Sequence, residues 1–273
     1  MNNIDLRHLP VGSHRVPCPE CAKRQNDKTL GVTIEQDRGV WHCFRCGWTG
    51  AQRYPAHPRA VKVSEPKRDK QLTLASHWRD LWGTLAPISG SAAAYLKARG
   101  CALPPEDGDL KCTESLRHPS GYTGAALIAL VTDAITGEPI TLHRTWVKSN
   151  GEKADLDAPR LLLGRHRKAG GVIRLWPDEA VTTGLAIAEG IETALTAAVA
   201  YKPVWSVIDA GNLAQFPVLN GIESLLIAAD HDSAGTDAAE QCAERWYRSG
   251  REVRIAQSPI PGEDLNDFAR RAA

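Results

Sequence analysis

The sequence predicts an α/β protein with three parts: a small β zinc ribbon, then a mixed α+β subdomain, then a C-terminal domain whose mainly parallel sheet is flanked by helices. Two pairs of cysteines, each pair with only two residues between its members, indicate the first part. Alternating apolar residues within 125–147 indicate a β hairpin in the second part. In the third part, the apolar runs within 185–195 and 225–235 lead through acidic turns into helix-forming segments, as a buried parallel strand leads into a helix.

Length and charge set limits on the function. At 273 residues the chain is long enough for two or three small domains, and its net charge of +1 by itself predicts no partner. Its apolar stretches are too short to cross a bilayer, and its first residues contain no apolar export signal. We therefore expect a cytoplasmic protein that has no membrane partner.

Changes in composition divide the chain into four segments. Residues 53–72 are rich in proline, lysine and arginine, which is typical of a flexible basic linker. This linker separates the ribbon, residues 1–52, from the mixed α/β segment, residues 73–181. The C-terminal domain covers residues 182–273.

Four of the seven cysteines form two C-x-x-C pairs. Two intervening residues let both thiolates of a tight turn reach one ion, and two such turns complete a tetrahedral site, so we predict one structural Zn²⁺. The alternative, two redox C-x-x-C motifs, lacks the βαβ context of such motifs. The strand-like pieces 29–34 and 39–44 lie between the pairs and complete a ribbon. The predicted zinc ligands are Cys18, Cys21, Cys43 and Cys46.

Three aromatic residues of the ribbon have two interpretations. Trp41, Phe44 and Trp48 form either its small core or a surface on which bases stack, and we favour the core. His42 adjoins Cys43 and could replace it as a ligand, but an exposed strand position is the simpler interpretation.

The mixed segment is predicted to contain two helices within 73–99, the hairpin and then a basic stretch. Residues 159–177 contain no acid, and such an uncompensated patch is either a polyanion-binding surface or a solvated basic face. We predict that it binds nucleic acid or nucleotide, with one arginine of the hairpin in the same groove. The basic residues are Arg144, Arg160, Arg165, Arg167, Lys168 and Arg174.

Acids end the two apolar runs of the C-terminal domain. Glu189 follows the first run, and Asp230 and Asp232 follow the second, at the strand ends where open α/β sheets bind ligands. Residues i and i+2 of an extended segment point the same way, so both aspartates can face one ion. Carboxylate oxygens suit a hard divalent cation such as Mg²⁺. The alternative is that these acids are solvated turn residues or helix caps.

Three acidic motifs follow one another: E-G-x-E at 189–192, D-x-D at 230–232, and D-L-N-D at 264–267 within a predicted acidic turn at 262–271. Together they resemble the Toprim domain of bacterial-type primases, topoisomerases and some nucleases. The order of a four-cysteine ribbon, a basic linker, a mixed α/β segment and a Toprim domain resembles that of bacterial-type DNA primases. The E-G-I-E-T sequence at 189–193 is most similar to the primases of phages, plasmids and integrative elements.

The resemblance implies an enzyme that synthesises short RNA primers on single-stranded DNA from ribonucleoside triphosphates. It implies Mg²⁺ or Mn²⁺ held by Glu189, Asp230 and Asp232 against the triphosphate and the attacking 3′-hydroxyl. The basic residues would hold the template or the incoming triphosphate, and the ribbon would contact the template. Further candidates for binding or orienting the metal are Glu192, Asp264 and Asp267.

The sequence departs from the bacterial replicative primases at the first acidic motif. Where they have an acid four residues after the glutamate, this chain has Thr193, and its extra acid is Glu192. No P-loop motif is present, so we expect either a replicative helicase as a separate partner or no helicase partner at all. Two other functions stay open. One is a recombination-mediator-like clamp that binds DNA without catalysis, whose zinc cysteines usually lie closer together; the other is a metal-dependent Toprim nuclease that uses the same acids.

Overall fold

The computed structural model describes residues 4, 6, 9–24, 27–35, 38–53 and 72–272. The chain divides into two units, residues 1–67 and residues 68–273. The predicted linker, residues 53–72, lies outside the described residues except for its two ends. None of the helices in the described ranges has the length and apolarity that a membrane span requires.

The N-terminal unit is an antiparallel sheet whose four strands pair in chain order: β1 (Gly12–Val16), β2 (Leu30–Ile34), β3 (Arg38–Cys43) and β4 (Thr49–Arg53). The inner strands β2 and β3 correspond to the two predicted strands. Burial alternates along β2, where Leu30, Val32 and Ile34 face the core. The outer strands were not predicted, because their sequences GSHRV and TGAQR carry almost no apolar alternation.

Two helices and an antiparallel sheet begin the second unit. They are α1 (Ser76–Thr84), α2 (Gly90–Ala98), β5 (Leu110–Arg117), β6 (Thr123–Asp133), β7 (Pro139–Trp146), β8 (Arg160–Leu162) and β9 (Gly171–Val172). The sheet order is β5-β6-β7-β8, with β9 beside β6. β6 and β7 are the predicted hairpin, and its turn contains Gly137 at a φ of +73°, which favours glycine. β5 was not predicted, because a register shift between Thr113 and Leu116 interrupts its alternation.

The C-terminal part is a parallel sheet flanked by helices, which confirms the predicted fold class. Its elements are β10 (Gly184–Ala188), α3 (Ile191–Ala197), β11 (Val204–Ser206), α4 (Ala210–Ala214), β12 (Ser224–Ala229), α5 (Ser233–Arg248), β13 (Glu252–Gln257) and α6 (Leu265–Ala272). The strand order is β11-β10-β12-β13. A single 3₁₀ turn, Asp178–Ala180, precedes them. The predicted acidic turn at 262–271 was wrong for most of its length, since α6 begins at Leu265 and packs that residue against the core.

One hydrophobic core joins the two sheets of the second unit. It contains Tyr95 of α2 together with Ala186 of β10 and Leu195 of α3. Ile173 and Ser206 exchange two backbone hydrogen bonds of 2.8 and 3.0 Å, which connect the segment after β9 to β11. Residues from the mixed part and the C-terminal part can therefore meet in one site.

Candidate active site

Three acids stand where neighbouring parallel strands end. Glu189 directly follows β10, and Asp230 directly follows β12. Because β10 and β12 pair in parallel, both acids leave the sheet at the same edge. Asp232 caps α5 and accepts a 2.7 Å hydrogen bond from the backbone amide of Gly235. The structure thus places the three predicted acids at one end of the sheet.

The acids of this edge repel one another. Burial, followed by the charges of Asp230, Asp232 and Asp209, raises the pKa of Glu189 to about 7. Burial, followed by the charges of Asp264 and Asp232, raises the pKa of Asp230 to about 6. Ionising both carboxyl groups is therefore costly until a positive charge joins them.

Two carboxylate oxygens of this site, Glu189 Oε1 and Asp230 Oδ1, are buried without a hydrogen-bond partner among the described residues. The chain closes tightly around them: a Cβ on Gly235 would lie 2.5 Å from the Asp230 carbonyl oxygen and 3.0 Å from Glu189 Oε1. Buried carboxylate oxygens without partners are costly, and a hard divalent cation would both satisfy them and offset the repulsion. The donor set therefore fits Mg²⁺ or Mn²⁺.

The raised pKa values predict how stability depends on pH in buffer without Mg²⁺ or Mn²⁺. The ordinary values are 4.5 for Glu189 and 3.8 for Asp230, so the folded state binds these protons more tightly than the unfolded state. Their stabilising contribution is complete below about pH 4 and is lost as the pH rises through about 6 to 7. We expect a loss on the order of 3 kcal/mol, about half the unscreened value because the site is partly solvated.

The measurement is the thermal midpoint of the wild type minus that of the Glu189→Gln variant, from about pH 4.5 to pH 8. This difference should become more negative with rising pH and should return toward zero or above when Mn²⁺ is added. A difference that does not change with pH would contradict the expected electrostatics.

The two acids of the D-L-N-D motif lie at the start of α6. Asp264 accepts a 2.8 Å hydrogen bond from the backbone amide of Asp267 and so caps the helix. Both charges help to raise the pKa of Asp230, after burial. The motif therefore adds negative charge to the same site, and a role of these two acids in metal binding stays a prediction.

Glu192 has other partners. Its carboxylate accepts hydrogen bonds from the Tyr95 hydroxyl at 2.7 Å and from Arg160 at 3.0 Å, and Lys153 Nζ lies 3.5 Å away. These partners come from α2, β8 and the loop before β8. The extra acid of the first motif is thus engaged by cations and a hydroxyl of the mixed part.

The predicted basic residues fall into two groups. Arg160 and Lys168 adjoin the acids. Arg160 pairs with Glu192. Burial is the main cause of the raised pKa of Asp230, and the positive charge of Arg160 lowers that pKa in part. Lys168 Nζ lies 2.6 Å from Asp209 Oδ2. These two cations lie at the edge of the acidic site, and each is paired with one carboxylate there.

The other four basic residues are placed differently. Arg167 and Arg174 form ion pairs of 2.8 and 2.7 Å with nearby aspartates. Arg144 is buried, with its guanidinium 5.4 and 5.8 Å from the ring centres of two tryptophans. Arg165 is exposed, with a φ of 65°. The structure does not bring these four together with the acids, and their predicted binding role stays a prediction.

Three residues near the site were not predicted. Asn266 is fully buried, and its side-chain amide donates 2.8 Å hydrogen bonds to the Arg99 carbonyl and the Thr196 hydroxyl, which holds α6 in place. Asp209 follows the apolar run at β11, the same pattern that marked the predicted acids, so that signal was present. Lys153 lies in a loop, and its sequence context contained no signal.

The four predicted zinc ligands converge in the N-terminal unit. Cys18 Sγ lies 3.8 Å from Cys46 Sγ, and Cys21 Sγ lies 3.5 Å from Cys43 Sγ. A tetrahedral site with Zn–S bonds of about 2.3 Å places its sulfurs about 3.8 Å apart, so the cluster fits zinc. Within the described ranges, these cysteines are the only group of three or more His, Cys, Asp or Glu residues whose ligand atoms all lie within 4.8 Å of one another. No three carboxylates of the acidic site approach one another that closely among the described residues.

The aromatic residues of the ribbon differ in their roles. Trp41 and Trp48 pack against the core with ring centres 5.4 Å apart, as predicted. Phe44 is 63% exposed, and the Arg15 guanidinium lies 4.0 Å from its ring centre, so the core interpretation was wrong for Phe44. His42 is an exposed strand residue, as predicted.

Three solved structures that resemble this chain are DNA primases. A DNA primase domain from Pseudomonas aeruginosa is 15% identical with a TM-score of 0.45, over 71% of this chain and 73% of its own. The primase fragment of the bacteriophage T7 primase-helicase protein is 16% identical with a TM-score of 0.44, over 95% of each chain. The zinc-binding and RNA polymerase domains of the Aquifex aeolicus primase are 14% identical with a TM-score of 0.43, over 97% of this chain and 78% of theirs.

Family comparisons identify two segments of the chain. Residues 73–175 match a family described as a domain of unknown function (DUF7146). Residues 184–273 match the Toprim domain family. No curated protein matches the chain. The predicted Toprim domain is confirmed: residues 184–273 are a Toprim domain.

Proposed function

We propose that this chain is a DNA primase, a nucleotidyltransferase that makes short RNA primers on single-stranded DNA. One observation carries the proposal: in a Toprim domain, Glu189 and Asp230 each keep a buried carboxylate oxygen without a partner in the described part of the chain. Proteins tolerate such costly arrangements mainly where function requires them. A clamp that only binds DNA has no need of them, so the geometry favours catalysis over a recombination-mediator-like role.

The acids supply the cation site of the proposed reaction. Glu189, Asp230 and Asp232 would hold Mg²⁺ or Mn²⁺, which lowers the pKa of a bound hydroxyl and offsets charge on a transferring phosphoryl group. Asp264 and Asp267 add negative charge from the start of α6. The acids fix where the cation binds, and through it where the primer 3′-hydroxyl and the nucleotide meet.

The substrates and partners follow from the remaining surfaces. Arg160 and Lys168 stand beside the acids and offer positive charge to the phosphates of a ribonucleoside triphosphate. On the zinc ribbon, the exposed ring of Phe44 under Arg15 suits stacking with the bases of a single-stranded DNA template. We further propose a cytoplasmic location, where reduced thiolates bind zinc, and a replicative helicase as a separate partner.

Primer synthesis on single-stranded DNA tests the proposal. The reaction contains labelled ATP, all four ribonucleotides and Mg²⁺ or Mn²⁺, and we expect short labelled products. DNA binding without products would instead support a non-catalytic clamp. Shortening of a labelled DNA strand would support a Toprim nuclease, for which the same acids would serve.

A further inference from the structure

Glu192 is a buried acid whose contacts differ from those of the cation-binding acids. It lies in the first turn of α3, three residues after Glu189, and is 7% exposed. Its Oε1 accepts hydrogen bonds from the Tyr95 hydroxyl at 2.7 Å and from Arg160 at 3.0 Å, and its Oε2 lies 3.2 Å from the same Arg160 nitrogen. Lys153 Nζ lies 3.5 Å from Oε1. Both oxygens of Glu192 are therefore engaged, in contrast to Oε1 of Glu189.

These contacts keep Glu192 ionised. Burial alone would raise its pKa, but the charges of Arg160 and Lys153 and the hydrogen bond from Tyr95 hold that pKa well below its ordinary value. His143 lies in the same cluster and adds no positive charge, because burial and the charge of Arg160 lower its pKa to about 4. Two cations therefore meet one anion, and a net positive charge is left over.

The two cations are also accessible. The side chains of Arg160 and Lys153 are 41% and 28% exposed, so each reaches solvent while its charged end contacts the buried carboxylate. Burial raises the pKa of Asp230, and the charge of Arg160 lowers it in part. The Arg160 guanidinium therefore lies within electrostatic range of the acidic site. An exposed cation within range of a site for a divalent cation, with a second cation held on the same carboxylate, matches the charge pattern of a metal-bound polyphosphate.

We infer that Glu192 is a positioning residue: it holds Arg160 and Lys153 together as a binding site for the phosphate groups of a nucleoside triphosphate, and it is not a cation ligand. The inference rests on the proposed function for the identity of the nucleotide. Without the anion between them, the two cations repel each other and move apart, so the phosphate site loses its shape while the cation site keeps its own acids.

Two binding measurements on the full chain separate the two roles. Mn²⁺ binding is followed by the spin-resonance signal of the free ion, and ATP binding by calorimetry at saturating Mn²⁺. The Glu192→Gln variant should bind Mn²⁺ within about twofold of the wild type but ATP at least about tenfold more weakly, since charge-assisted contacts are lost. The same fall is expected with UTP, because the phosphates are common to both nucleotides. The Asp230→Asn variant should instead bind Mn²⁺ at least about tenfold more weakly.

Glu152→Gln is the matched control, since it also removes one negative charge. Glu152 is exposed, lies in the same loop as Lys153 and pairs with Lys148 rather than with Lys153 or Arg160. It should leave both affinities unchanged. If Glu192→Gln weakens Mn²⁺ binding as much as Asp230→Asn does, Glu192 is a cation ligand and the inference fails. Unchanged ATP affinity in that variant overturns it as well.

The Arg160→Gln variant keeps the inference testable if Glu192→Gln does not fold, because the Arg160 side chain is half-exposed. It should weaken ATP binding by a similar factor and leave Mn²⁺ binding unchanged, and unchanged ATP affinity would overturn the inference. Where both fold, the double variant should bind ATP about as weakly as Arg160→Gln alone, whereas full additivity would show that Glu192 does not act through Arg160. A wild type that binds Mn²⁺ and ATP but makes no primers would reject the proposed function and leave this inference standing.

Discussion

The Asp230→Asn variant is expected to lose primer synthesis by about 10²–10³-fold, because several kcal/mol of charge stabilisation depend on the cation that this carboxylate holds. The same substitution should stabilise the protein in buffer without Mg²⁺ or Mn²⁺. Burial is the largest cause of the raised pKa of Glu189, and the charge of Asp230, which this substitution removes, is the second largest. At pH 8 we expect a rise in the thermal midpoint of about 4 °C. Activity and stability should therefore change in opposite directions.

This opposite change distinguishes a lost cation site from a damaged fold. Asp237→Asn is the matched control, since it makes the same chemical change elsewhere. Asp237 is an exposed acid of α5 and is not among the described acids whose charges raise the pKa of Asp230. It should alter activity by less than about twofold and leave the thermal midpoint within about 1 °C. Full activity in Asp230→Asn, or a loss of activity together with a lower thermal midpoint, would be evidence against the assigned site.

The acids at the sheet edge could be predicted because the sequence carries their physical cause. Glu189 and Asp230 each follow a continuous apolar run, a run of that kind predicts a buried parallel strand, and parallel neighbours end at the same edge. Asp209 follows a similar but shorter run that contains Trp205 and Ser206. The position of the site acids thus follows from where the buried strands end, and a local sequence pattern can indicate those strand ends.

The environment of Glu192 could not be predicted in this way. Its partners Tyr95 and Arg160 lie 97 and 32 residues away in the sequence, and packing of the mixed part against α3 brings them together. Spacing within the E-G-x-E motif therefore suggested a metal ligand, whereas tertiary contacts engage both oxygens. The polar outer strands of the ribbon escaped prediction for a related reason, because pairing with a neighbour rather than apolar alternation defines them.

Loss of the zinc site is expected to unfold the N-terminal unit. That unit spans Met1–Lys67, and of the six buried core residues that the structure describes there, two are the zinc-site cysteines Cys18 and Cys43. A domain of this size buries little apolar surface and is marginally stable at best, whereas a structural zinc contributes roughly 10 kcal/mol or more. In the Cys43→Ser variant we expect zinc content to fall from one ion per chain to none and protease cleavage to increase within the ribbon. Cys101→Ser, outside the cluster, should keep its zinc.

The second unit should survive the same substitution, because its hydrophobic cores draw on described residues from Leu74 onward and share none with the ribbon. The Cys43→Ser variant should therefore keep Mn²⁺ and ATP binding within about twofold of the wild type, while template-dependent primer synthesis falls by at least about tenfold as the stacking surface at Phe44 is lost. A ribbon that stays protease-resistant without zinc would show that the cysteines are not structural. Loss of ATP binding would show instead that the ribbon supports the nucleotide site, and the two units could then no longer be assigned separate tasks.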